Sequence, residues 1–243
     1  MIFAAGLGTR LRPLTDNMPK AMVPVAGKPM LQRVIENLAQ HGCHDIVVNI
    51  HHFGQKIIDF LAQNDNFGQN IIISDERELL LDTGGGILAA RQWLDDGTPF
   101  IVHNADILTT LNLTDMYKHH CTSNADATLL VKSRTTQRYL LFDNNNQLKG
   151  WINKKSGETR PSDIDATNHG LHEFAFGGIH ILSPSIFEAL ESFSTEPKFS
   201  ITNPFYIDKC RDLKIQGYNP QDYDWFDIGS PETLALANQF FTK

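Results

Sequence analysis

The first half of the chain alternates short, almost uninterrupted apolar runs with helical repeats, and this order constrains the fold more than any other feature. Residues 1–5 are apolar enough for a buried strand, and the run stops at Gly6-Leu7-Gly8-Thr9-Arg10. Met30, Leu31, Val34, Ile35 and Leu38 then recur at three-and-four spacing after Pro29, with Gly42 where a C-terminal stop belongs, so a helix is predicted there. Residues 46–50 read as a β-branched strand, and Ile57, Ile58 and Leu61 mark the next helix. The order continues through 71–73 (strand), 87–94 (helix), 100–103 (strand) and a helix near 113–120. Strands without polar alternation need cover on both faces, which implies an α/β fold built on a mostly parallel sheet.

From about residue 128 the pattern changes. Candidate strands at 128–131, 139–142, 148–152 and 176–182 follow one another without long helices between them. Asp143-Asn144-Asn145-Asn146 is a tight polar turn, so a hairpin is expected around it. Residues 153–172 are polar and read as a long loop, and helical stretches at 183–191, 204–210 and 230–241 close the chain. The expectation is one domain over 1–243, with a parallel half over about 1–127 and a smaller mixed lobe over 128–243.

Composition narrows the function classes. Twenty-one Lys and Arg against 28 Asp and Glu give a net charge of −7, which disfavours a nucleic-acid footprint, and 41% hydrophobic residues disfavour disorder. No apolar run approaches the roughly 20 residues of a membrane helix, so no membrane partner and a cytoplasmic location are expected. Three widely spaced cysteines form neither a disulfide framework nor a zinc knuckle, and the ten histidines include no HExxH. Oligomeric state is left open.

In a parallel α/β sheet ligands sit beyond the carboxyl ends of the strands, so the glycine turn after the first strand is a candidate phosphate site. Gly6 and Gly8 admit close backbone approach, and Arg10 and Arg12 supply fork-shaped positive charge. The glycine pair alone fits a plain strand-to-helix turn equally well. A dinucleotide fingerprint is disfavoured by Leu11, and the phosphate loop GxxxxGK[ST] is absent because Gly27-Lys28 is followed by Pro29. Asp106 and Asp227 each follow an apolar run, and such hard oxygen donors suit Mg²⁺.

The longer run Ala4-Ala5-Gly6-Leu7-Gly8-Thr9-Arg10-Leu11-Arg12-Pro13-Leu14-Thr15, followed by Pro19-Lys20-Ala21-Met22-Val23-Pro24 and Gly27-Lys28-Pro29, resembles the signature of the sugar-1-phosphate nucleotidyltransferases. Asp82-Thr83-Gly84-Gly85-Gly86, Asn104-Ala105-Asp106 and Trp225-Phe226-Asp227-Ile228-Gly229-Ser230 are similar to the family's nucleotide loop, metal motif and closing motif. The resemblance implies a Rossmann-like, mostly parallel mixed sheet flanked by helices, the nucleotide-diphospho-sugar transferase fold, with a small sugar-binding lobe. It implies a nucleoside triphosphate and a sugar 1-phosphate as substrates, Mg²⁺ as cofactor, and uridylyl or guanylyl transfer. Carried over residue by residue, Arg10 and Lys20 are catalytic. Ala5, Gly6, Gly8, Thr9, Asn49, Thr83, Gly84 and Gly85 line the nucleotide, Asn104 and Gly178 the sugar, and Asp106 and Asp227 hold the metal. Where many relatives have E-K-P in the sugar loop, this chain has Gly150-Trp151-Ile152-Asn153-Lys154-Lys155, and Trp151 fits either a sugar-stacking role or the core. Transfer to a non-sugar phosphate such as phosphocholine and a non-catalytic nucleotide-sugar sensor are the alternatives.

Overall fold

The computed structural model describes residues 1–167 and 169–242. The chain forms two compact units that interleave in sequence. The first comprises Met1–Leu80, Val102–Thr114 and the stretch from Asp222 onward; the second comprises Leu81–Ile101 and Asp115–Gln221.

The first unit carries the predicted parallel ladder. Ile2–Phe3 lies between Asp45–Ile50 and Phe100–Asn104, parallel to both, with Ile2 opposite Val48 on one side and His103 on the other. Asp45–Ile50 pairs in parallel with Asn70–Asp75. Five successive buried residues, 46–50, account for the lack of alternation in the sequence, since neither face of that strand meets water. Helix Met30–Gln40 makes the first crossover and buries Met30, Leu31, Val34, Ile35 and Leu38, the set its spacing predicts. It ends where Gly42 takes a φ of 82° and the Cys43 N–H turns back onto the Leu38 carbonyl at 3.0 Å. The first strand is shorter than residues 1–5, because from Ala4 onward the backbone amides leave the ladder for a side chain. A separate antiparallel ladder joins Ile107–Thr109 to Trp225–Asp227, with Asp227 opposite Ile107. Helix Pro231–Phe241 follows, started by Ser230 and Thr233, whose side chains cap each other's backbone N–H, and by a proline in its first turn.

In the second unit His172–Leu182 pairs antiparallel with Ala127–Lys132 and with Arg138–Phe142. Arg138–Phe142 and Leu148–Asn153 form the expected hairpin, whose turn is held by Asp143: its Oδ1 accepts from the amides of Asn145 and Gln147, each at 2.9 Å. Trp151 is buried in this hairpin, which favours the core reading. Within the polar segment 153–172, Thr159–Arg160 adds a two-residue strand against Trp151–Ile152, and residue 168 lies outside the described residues. The expected helical stretch at 204–210 is present as the end of a π-helical segment, Ile201–Tyr206, that runs into the short helix Ile207–Lys209. Ile215–Tyr218, unmarked by any apolar run, adds a strand parallel to Ala127–Lys132. No helix among the described residues is long and apolar enough to cross a membrane.

Candidate active site

The first unit turns its glycine loop at the carboxyl end of its central strand. Gly8 has a φ of 67°, and a methyl group there would stand 2.9 Å from both Lys20 Cβ and Thr15 Cγ2, so only glycine fits. The Gly8 carbonyl accepts from Thr15 Oγ1 at 2.8 Å and from the Leu11 N–H at 2.9 Å, and this fixes the short turn Thr9–Leu11 from which Arg10 projects. Thr15 is buried. It completes the motif in sequence, but no role could be read for it there, because a lone threonine four residues beyond a turn carries no signal of its own. Gly6, Thr9 and Arg10 are exposed, while Ala5 is buried.

Four charged side chains gather at this loop. The Lys20 ammonium pairs with Asp106 Oδ2, and both side chains are largely shielded from water, Lys20 being 13% exposed and Asp106 23%. Asp227 reaches the same place through the small antiparallel ladder, since the Ile228 N–H donates to the Asp106 carbonyl at 2.9 Å. A methyl on Gly229 would stand 2.9 Å from a guanidinium nitrogen of Arg10 and 3.0 Å from Asp227 Oδ1. The bare Cα of Gly229 therefore leaves room for cation and acid to close on one spot. Two basic and two acidic residues, drawn from positions 10, 20, 106 and 227, thus converge within one compact unit. Asp106 and Asp227 bring two hard oxygen donors to neighbouring backbone, and no cluster of three His, Cys, Asp or Glu occurs among the described residues. Such a pair suits an ion whose remaining positions are filled by water and phosphate oxygens, which is the habit of Mg²⁺.

Asn104 ends the strand Phe100–Asn104 opposite Phe3, half-buried and two residues before Asp106. Beneath it His103 is fully buried, and desolvation holds its ring down to about 4, so it is neutral and donates from Nδ1 to the Asn104 carbonyl at 2.9 Å.

Several residues assigned to the nucleotide are occupied otherwise. Asn49 is 3% exposed, and its side chain accepts from the Ala4 N–H at 2.7 Å and the Ala5 N–H at 3.3 Å while donating to Glu76 at 2.8 Å. It meets the backbone of the loop from behind. In the second unit, Thr83, Gly84 and Gly85 lie in helix Asp82–Ala89, not in a loop. The amides of Gly84 and Gly85 point at the Phe199 carbonyl at 2.8 and 3.3 Å, and Thr83 Oγ1 accepts from the Ile201 N–H at 2.9 Å. A methyl on Gly84 would stand 2.3 Å from the Phe199 ring and one on Gly85 2.0 Å from the Pro197 carbonyl. These glycines therefore serve close packing against residues 197–201. Gly178 lies in the strand His172–Leu182, where the register against Ala127–Lys132 shifts.

Comparison with known proteins places these features in context. The family model described as Nucleotidyl transferase matches residues 1–243. N-acetylmuramate alpha-1-phosphate uridylyltransferase of Neisseria meningitidis is 31% identical over 98% of this chain and 97% of that protein. Mannose-1-phosphate guanyltransferase of Yarrowia lipolytica is 30% identical over 96% of this chain, which spans 61% of that longer relative. Among solved structures, HddC from Yersinia pseudotuberculosis superposes with a TM-score of 0.78 at 26% identity, covering 99% of this chain and 97% of the other. UDP-glucose pyrophosphorylase complexed with UDP-glucose gives a TM-score of 0.76 at 19% identity, over 99% of this chain and 96% of that one, a likeness of fold.

Proposed function

The chain belongs to the nucleotidyl transferase family, and from that premise we propose that it is a sugar-1-phosphate nucleotidyltransferase whose chemistry is carried out at Arg10, Lys20, Asp106 and Asp227. The reaction is NTP + sugar 1-phosphate ⇌ NDP-sugar + pyrophosphate. An oxygen of the sugar phosphate attacks the α-phosphorus, the bond from that phosphorus to the bridging oxygen of the β-phosphate breaks, and pyrophosphate leaves with the electron pair. Two polyanions must be brought together in line, so the protein's task is positioning and charge neutralisation.

The observation that carries this reading is the convergence of two cations and two acids on the glycine loop. Arg10, exposed on the Thr9–Leu11 turn, takes the leaving β,γ-phosphates. Lys20 takes the α-phosphate or the sugar phosphate, exchanging its contact with Asp106 for a phosphate oxygen. Asp106 and Asp227 would hold Mg²⁺, which when bound supplies further positive charge to the phosphates. The backbone of the 6–9 turn, exposed at Gly6, Leu7 and Thr9 and half-buried at Gly8, can approach phosphate oxygens closely because Gly6 and Gly8 carry no side chain.

For the base and sugar we favour uridylyl transfer to N-acetylmuramate 1-phosphate, because two relatives with that name are 31% and 28% identical to this chain, each over 98% of it. The test is a pyrophosphate-release screen crossing UTP, GTP, CTP and dTTP with N-acetylmuramate, mannose and glucose 1-phosphates and with phosphocholine. Highest turnover is expected for UTP with N-acetylmuramate 1-phosphate. A maximum at GTP with mannose 1-phosphate would reassign both substrates, and no release from any pair would remove the enzymatic reading.

A further inference from the structure

Two buried polar side chains hold the backbone that leads into the glycine loop. Asn49 is the penultimate residue of the strand Asp45–Ile50, and Glu76 follows the neighbouring strand Asn70–Asp75; each is 3% exposed. Asn49 Oδ1 accepts from the amides of Ala4 and Ala5, and Asn49 Nδ2 donates to Glu76 Oε1. Glu76 is itself fixed by its backbone: its N–H donates to the Ile50 carbonyl at 2.9 Å, and its carbonyl accepts from His51 Nδ1 at 2.7 Å.

The chemistry of the pair dictates its orientation. An asparagine amide can face either way, but the backbone N–H groups of Ala4 and Ala5 only donate, so they claim the Asn49 oxygen and turn its NH₂ toward Glu76 Oε1, which accepts. The Asn49 oxygen replaces the backbone acceptor that a continuing parallel ladder would have offered. The first strand therefore ends after Phe3, and the chain bends into Gly6-Leu7-Gly8. A carboxylate buried to this degree is costly unless it is hydrogen-bonded.

We infer that Asn49 and Glu76 act together as positioning residues that set the glycine loop for nucleotide, without touching it. The inference rests on the proposal that this loop receives the triphosphate.

The test reverses the polarity of the bond. Asn49→Asp keeps an acceptor for Ala4 and Ala5 but sets two buried carboxyl groups against each other. Adding Glu76→Gln restores a donor and an acceptor in the opposite sense. Two readouts are taken: calorimetric affinity for UTP and for GTP without sugar phosphate, and hydrogen exchange at the Ala4 and Ala5 amides. Asn49→Asp is expected to weaken nucleotide binding by about 10–100-fold, the scale of a displacement of about 1 Å at a binding loop, and to speed exchange at both amides. The double variant returns within about threefold of wild type on both measures. If Asn49→Asp binds and exchanges as wild type, or the double variant recovers neither property or fails to fold, the inference is wrong. Exchange needs no turnover, so a wild-type chain inert in the pyrophosphate screen would sink the proposed function while exchange at Ala4 and Ala5 still decides this one.

Discussion

Replacing Gly8 by alanine tests whether the loop is shaped by its own packing. The new methyl group meets Lys20 Cβ and Thr15 Cγ2 at 2.9 Å, against an optimum of roughly 3.5–4.0 Å between carbons, so both neighbours must retreat by about 0.6–1 Å. Thr15 cannot move freely, because it is buried and its hydroxyl donates to the Gly8 carbonyl. Overpacking of this kind costs about 1–3 kcal/mol, and the left-handed backbone at a φ of 67° adds about 1–2 kcal/mol for a residue with a Cβ. A loss of about 2–5 kcal/mol lowers Tm by roughly 4–20 °C in a chain of this size. Displacing the root of Lys20 by nearly 1 Å should also lower kcat/KM by about 10²-fold. Gly6→Ala is the control. Nothing lies within 4 Å of the added methyl, and Gly6 is outside the left-handed region, so stability should change by no more than about 0.5 kcal/mol while activity falls as the methyl obstructs the phosphates. Thermal melts and the pyrophosphate assay read both variants. A Gly8→Ala protein with wild-type Tm and turnover, or a Gly6→Ala protein destabilised as much, refutes the reasoning.

Lys20→Ala and Asp106→Ala should each lower turnover by roughly 10²–10³-fold, as expected for losing one group that stabilises the transition state; wild-type pyrophosphate release by both would contradict their placement. Gly85→Ala pits two effects against each other: helix propensity favours alanine by about 1 kcal/mol, whereas a methyl 2.0 Å from the Pro197 carbonyl should cost more, so Tm falls and a rise would show that residues 197–201 yield freely. Burial holds His103 and His120 down at about 4, against an ordinary value of 6.5. The folded protein then refuses protons that the unfolded chain takes up. Stability is full above about pH 6.5 and declines as pH falls from there toward 4, by about 2 kcal/mol per ring at pH 5. Urea titrations at pH 8 and pH 5 measure this, and a His120→Gln variant with an unchanged pH slope would exclude that ring as a source.

Much of the first unit is legible in sequence because its residues obey local rules: Leu38 and Gly42 mark a helix end, and residues 46–50 form a strand covered on both faces. The triple glycine misleads for a physical reason. Glycine disfavours helix locally, so Gly84-Gly85-Gly86 reads as loop, yet close approach of Pro197 and Phe199 selects residues without a Cβ and keeps the helix. Ile215–Tyr218 escapes notice because Gln216 and Gly217 break any apolar run, and its pairing with residues distant in sequence makes it a strand. At the candidate site the four charged residues are visible through their motifs. The partners that hold the backbone of the loop are not: Glu76 sits in the polar run Ser74-Asp75-Glu76-Arg77, which looks like a solvated strand end, and only the fold turns it inward to Asn49.

The ladder between Ile107–Thr109 and Trp225–Asp227 has a consequence for biosynthesis. A ribosome delivers Arg10 and Lys20 long before Asp227, so a nascent chain can assemble its parallel strands and still lack one of its two acids. The entropy of closing so long a loop is met only when Trp225 and Phe226 dock beside Thr109 and Leu108. Catalytic competence would then wait for Asp227, and a chain cut short before Trp225 would have its cations in place and no turnover.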